Sequence, residues 1–228
     1  MTLAVYGGLA GALFLLPIQL QQVAGYSPTA AGAALLPVTL IMLLLSSRSG
    51  ALASRIGPRL QMSAGPLVVA AGLALFTRVG ASGDYLQTVL PAAVVFGLGL
   101  AITVAPLTAT VLDAAPTAQA GIASAINNDV ARAAGLLAVA ILPAAAGITG
   151  ASYLHPGRFS AGFETAMWIA ALLCALGGLV AAFTIRGAGS RGPAPPQRRE
   201  MHCALAAPPL RGQGHAGPGP RRAGGEAS

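Results

Sequence analysis

Asn127, Asn128, Asp129 and Arg132 form the densest polar cluster at helical spacing in this chain. Asp129 and Arg132 stand at i,i+3 and Asn128 and Arg132 at i,i+4, so on a helix they share a face. Such a set forms a local ion pair at a solvated helix end, or it lines a vestibule or gate; two adjacent amides exceed what an exposed end requires. Gln19 and Gln22, again at i,i+3, either reach interfacial water or face a cavity and hydrogen-bond a ligand. Covalent chemistry lacks its parts, because no Ser/His/Asp constellation or phosphate-cradling loop is present. His202, Cys203 and His215 fit no closed metal-site spacing. The expectation is a protein that is not an enzyme, with no catalytic residue, cofactor or metal.

The surroundings of these residues explain why so few are available. Of 228 residues, 55% are hydrophobic and 8% charged, with a mean hydropathy of +0.72, far from the balance of a soluble globular domain. The chain reads as an all-α polytopic membrane protein, since uncharged runs of the ~20 residues that span hydrocarbon recur along it. Six spans are expected: about 3–23, 29–47, between Arg59 and Arg78, 86–110, from after Pro116 to near 150, and between Glu164 and Arg186. Between the first two, Gly25 ends a helix, Ser27 caps the next and Pro28 suits its first turn. Pro91 and Pro106 are expected to kink the fourth span.

Charge orients the spans. Arg48, Arg55, Arg59, Arg132, Arg186 and Arg191 fall on one side and Arg78 and Arg158 on the other, a bias that places the first group, and both termini, in the cytoplasm. Tyr26, Tyr85 and Tyr153 fall at the opposite boundary, where amphipathic rings settle. Glu164 is expected at the start of the sixth helix, favoured by the helix dipole. Residues 1–186 form the bundle, and residues 187–228, with seven Pro and nine Gly, have the composition of a disordered cytoplasmic tail. The tail's arginines suit anionic lipid rather than nucleic acid. Gly7 and Gly11 make a small-xxx-small packing pair, and Trp168 and Phe96 suit packing or an interface better than an aromatic pocket.

The stretch SGALASRIGPRLQMSAG, residues 49–65, concentrates arginine between two apolar runs. Its Gly50, Ser54, Arg55, Gly57 and Arg59, expected in a tight turn after the second helix, resemble the loop motif Gly-x-x-x-Asp-Arg-x-Gly-Arg-Arg/Lys of the major facilitator superfamily. Ser54 stands in place of the motif's acid and Pro58 in place of a basic residue. QLQQVAGYSPTAAGAALLP (19–37) and GIASAINNDVARAAGLLAVA (121–140) resemble segments of the last six helices of its fourteen-helix drug:proton antiporters.

That resemblance, over residues 1–186, implies one bundle of a major facilitator fold in the cell inner membrane. It implies proton-coupled efflux of small hydrophobic or cationic compounds once an amino-terminal half, or a second copy, completes the molecule. Acids within the spans are nearly absent, with Asp84 and Asp113 at loop boundaries, so a coupling acid is expected on the completing half. A different class of role is a non-transporting membrane scaffold or regulatory subunit.

Overall fold

The computed structural model describes residues 1–184 except 57, 82–83, 114–115 and 117–118. The tail expected over 187–228 lies outside the described residues, as does Gly57. All regular structure among the described residues is helical: α1 Thr2–Gln22, α2 Pro28–Ala33, α3 Leu36–Ile56, α4 Pro58–Phe76, α5 Leu90–Asp113, α6 Ala120–Ala145 and α7 Pro156–Thr184. A π-turn over Tyr85–Val89 leads into α5 and a 3-10 turn over Gly150–Leu154 precedes α7. With α2 and α3 counted as one span, six helical segments among the described residues are long and apolar enough to cross a bilayer.

Local chemistry sets the breaks. Gly25 takes φ 70, a left-handed conformation cheap only for glycine. The Ser27 hydroxyl then accepts the Ala30 N–H at 3.2 Å and Pro28 fills the first helical position, as its sequence suggested. Pro37 has no N–H for the Ala33 carbonyl, and the helix parts there into α2 and α3. Pro91 likewise offers nothing to the Gln87 carbonyl. The Leu90 N–H instead reaches back to the Tyr85 carbonyl and the helix opens into a π-turn.

Two boundaries correct the sequence reading. The second span runs on to Ile56 rather than ending near Ser47, so Arg48 and Arg55 lie on helix α3 and not in a loop. A single Gly50 costs a helix only about 1 kcal/mol, and Pro58 is the first residue that disfavours continuation. The sixth span begins at Pro156, which suits a first helical turn, and Glu164 stands well beyond that turn. Its expected role at the helix dipole is therefore withdrawn, since that effect fades after one turn.

In the bundle, α4 and α7 pack against each other as a backing layer; α1 lies on α7 and α5 on α4, while α6 flanks α1 and α3 flanks α5. Exchanging α1, α3 and α4 for α5, α6 and α7 maps this set of pairings onto itself. The bundle is thus built as two three-helix repeats.

Lipid tails supply no hydrophobic drive between helices, so close approach of small residues carries the packing. A methyl on Gly72 would lie 2.6 Å from the backbone of Phe96, and one on Gly99 2.5 Å from the Val69 nitrogen; α4 and α5 therefore touch backbone to backbone. Phe96 is buried with its ring edge-on to Phe76 at 5.7 Å, a packing role. Gly11 meets Leu142 and Gly7 lies 3.7 Å from Ala138, so that pair faces α6. Cys174 is buried with its Sγ 3.3 Å from the Ala4 carbonyl.

Gly99→Ala is expected to destabilise the bundle by about 1–3 kcal/mol through overpacking. Gly121→Ala, whose methyl meets nothing within 4 Å, is expected to be neutral or stabilising; thermal unfolding in detergent compares the two.

Candidate functional site

Sequence spacing put Gln19 and Gln22 together, but the structure separates them. Gln22 is exposed at the end of α1, whereas Gln19 is fully buried. Its Nε2 donates to the Val79 carbonyl at 2.8 Å and to Ser160 Oγ at 3.0 Å. A carbonyl only accepts, so this amide orientation is fixed. Gln19 therefore ties the end of α1 to Val79, three residues beyond α4, and to α7, and it lines no open surface in the bundle. Its Oε1 has no partner among the described residues.

The loop-motif residues divide as well. Arg59 Nη2 donates to the Ala182 carbonyl at 3.0 Å, satisfying a last-turn carbonyl of α7. Gly50 is half-buried on α3. Ser54 and Arg55 are helical in backbone, and their side chains lie outside the described set.

On α6, Asn127 is half-buried and Asn128, Asp129 and Arg132 are exposed. No hydrogen bond or ion pair joins them among the described residues. At about 100° per residue, Gly121, Ala125, Asn128, Arg132 and Gly135 follow one flank of the helix, in steps of three and four. Ile122, Ile126, Val130, Leu137 and Ile141 follow the other, and all five are exposed. Asp129 stands half a turn from Ala138, on the side away from α1. The cluster is therefore split, with Asn128 and Arg132 on the small-residue flank and Asp129 at its outer edge.

That flank adjoins the open side of α1. Gly135 makes the approach, since a methyl there would lie 3.4 Å from Ala10 Cβ; Ala10 belongs to the partly open row Tyr6, Ala10, Leu13 and Pro17. On its far side, this row bounds a groove of about 470 Å³ between α1 and α3, lined by Leu9, Leu13, Leu35, Val38, Thr39, Met42, Leu43 and Ser46. One continuous surface thus runs from the α3 groove across α1 to Asn128 and Arg132. The groove was missed in the sequence, although Thr39, Met42 and Ser46 keep a helical spacing that carries the signal. Trp168, by contrast, is exposed on α7.

Depth gives the surface its meaning. At about 1.5 Å per residue, Arg132 lies ~18 Å from Ala120 and ~20 Å from Ala145, near the middle of the 26-residue α6 rather than beside the cytoplasmic connection to which the charge bias assigned it. A charge at that depth is costly against lipid and belongs on a wet or partnered side.

Residues 1–140 match the family model described as Major Facilitator Superfamily. A puromycin resistance protein of Streptomyces alboniger is 35% identical over 150 residues, covering 64% of this chain and 30% of its own length. The tetracenomycin C resistance and export protein of Streptomyces glaucescens is 34% identical over 133 residues, 58% of this chain and 24% of its own. A multidrug resistance protein B homolog of Mycobacterium tuberculosis is 32% identical over 147 residues, 62% and 27% respectively. The chain spans less than a third of the length of each of these relatives.

Replacing Gln19 by Leu leaves the Val79 carbonyl unpaired and is expected to cost about 1–3 kcal/mol, whereas Gln22→Leu changes little. Chemical denaturation of both variants in one detergent checks the difference.

Proposed function

The chain belongs to the Major Facilitator Superfamily, and on that premise we propose that it is the carboxyl-terminal bundle of a proton-coupled exporter of small hydrophobic or cationic compounds, completed by an amino-terminal half. Members of this family are transporters rather than enzymes. The observation that carries the reading is the open surface on one side of the bundle. It has an apolar groove of about 470 Å³ that is open along one side, and it ends in polar side chains near the middle of α6. In this reading a second bundle closes over that surface and rocks against it, exposing the groove to each side in turn.

The names of the relatives support export as the direction, because they describe resistance to puromycin, export of tetracenomycin C and multidrug resistance. The arginine bias supports an orientation with Arg48 and Arg59 in the cytoplasm, in an inner membrane, with both termini on that side. Coupling to protons needs an acid that titrates inside the membrane. Of the acids whose side chains are described, Asp84 caps the turn before α5 through the Leu86 and Gln87 N–H groups, and Glu164 is exposed on α7. Among them only Asp129 stands deep within a span, facing away from α1. The coupling carboxylate is assigned to the completing half.

Expressed alone in a drug-sensitive bacterium, this chain is expected to give no proton-linked efflux, and co-expression with an eight-helix amino-terminal portion is expected to restore it. Proton-driven transport by the isolated chain in proteoliposomes would contradict the proposal. Assembly with the amino-terminal portion without any gain of transport would favour the scaffold role.

A further inference from the structure

The chemistry of the open surface bears on what it recognises. Its apolar part is the α1–α3 groove, whose only polar side chains are Thr39 and Ser46. Its polar part is Tyr6 on α1 with Asn128 and Arg132 on α6. Asp129 is the nearest acid in sequence, but it stands about 60° around the helix from Arg132 and no ion pair joins them. The charge presented by this surface is therefore positive and lacks a counter-ion among the described residues.

Resting on the reading of this surface as the cargo-facing side, the geometry points to an amphipathic anion as the ligand of this bundle, its hydrocarbon body in the α1–α3 groove and its carboxylate on Arg132 and Asn128. A guanidinium fork beside an amide N–H suits a carboxylate, which accepts several hydrogen bonds at once. A membrane lipid headgroup offers the same anionic chemistry as a free amphiphile, and the test below includes an arm that separates the two. A cationic compound finds on this flank only Asp129, at its outer edge, so in this reading most of the attraction for its charge comes from the completing half.

The test uses the full chain in nanodiscs of zwitterionic lipid, with a fluorescent fatty-acid carboxylate and tetraphenylphosphonium as matched anionic and cationic probes. The carboxylate is expected to bind more tightly. Arg132→Gln is expected to weaken it about tenfold, the loss of one charge-assisted hydrogen-bonded pair, with partial recovery in Arg132→Lys and no loss in Asp129→Asn. Both side chains are exposed, and an unchanged thermal unfolding midpoint separates lost binding from lost fold. Equal binding by wild type and Arg132→Gln, tighter binding of the cation, or displacement of the probe by phosphatidylglycerol would each overturn the inference while leaving the transporter reading intact. Binding of neither probe would remove the proposed surface and this inference with it. Loss of co-expressed efflux in Arg132→Gln without any change in probe binding would reassign Arg132 to a carboxylate of the facing bundle, against the inference.

Discussion

An ionised guanidinium halfway along a membrane helix constrains everything around it. Transfer of such a group to hydrocarbon costs at least about 2.5–3.5 kcal/mol at the centre of a span, so the flank of α6 that bears Arg132 belongs against water or protein. The opposite flank, with Ile126, Val130, Leu137 and Ile141 exposed, has the composition of a lipid surface. Leu136, exposed one turn beyond Arg132, sits at the border of the two flanks, so the approach of Gly135 to Ala10, together with the composition, sets the open side of the bundle. The α1 row and the α3 groove lie on the same side as Arg132, while α4 and α7 back them, and α7 turns residues such as Leu172 and Phe183 outward.

With that orientation set, the remaining polar groups are held by the means available where water is scarce. Threonine hydroxyls bond back to carbonyls one turn earlier, as Thr103 does to Gly99 at 2.7 Å and Thr110 to Pro106 at 2.7 Å. Proline-freed carbonyls are handled by breaking the helix before Pro37 or widening it before Pro91. Glycines let α4 meet α5 through backbone, and the buried amide of Gln19 joins three elements at the end where the tyrosines cluster. The result is a closely packed backing layer behind a sparsely packed surface.

Much of this was legible in the sequence. Span number and order follow from apolar runs matched to bilayer thickness, and the Ser27 cap with Pro28 was readable because capping is local chemistry. Boundaries hidden inside polar stretches were not, because helix propensity alone does not stop α3 before Pro58 or delay α7 until Glu164. Burial of Gln19 was illegible for another reason: an amide near a helix end satisfies itself equally well in interfacial water or on a distant carbonyl, and only tertiary packing decides. The split of the α6 cluster was present in the spacing of Gly121, Ala125, Asn128 and Arg132. It became visible once Ala10 showed which neighbour that flank adjoins.

Two flanks of one helix are physically different on this account, and the most direct measurement is their accessibility in native membranes. Single cysteines placed at Ala125 and Asn128, or at Ile126 and Leu137, in a background with Cys203→Ser and the buried Cys174 retained, are treated with a membrane-impermeant maleimide from the cytoplasmic side. Labelling at 125 and 128 with protection at 126 and 137 is the result this account predicts. Equal labelling of both flanks, or labelling confined to 126 and 137, would contradict it.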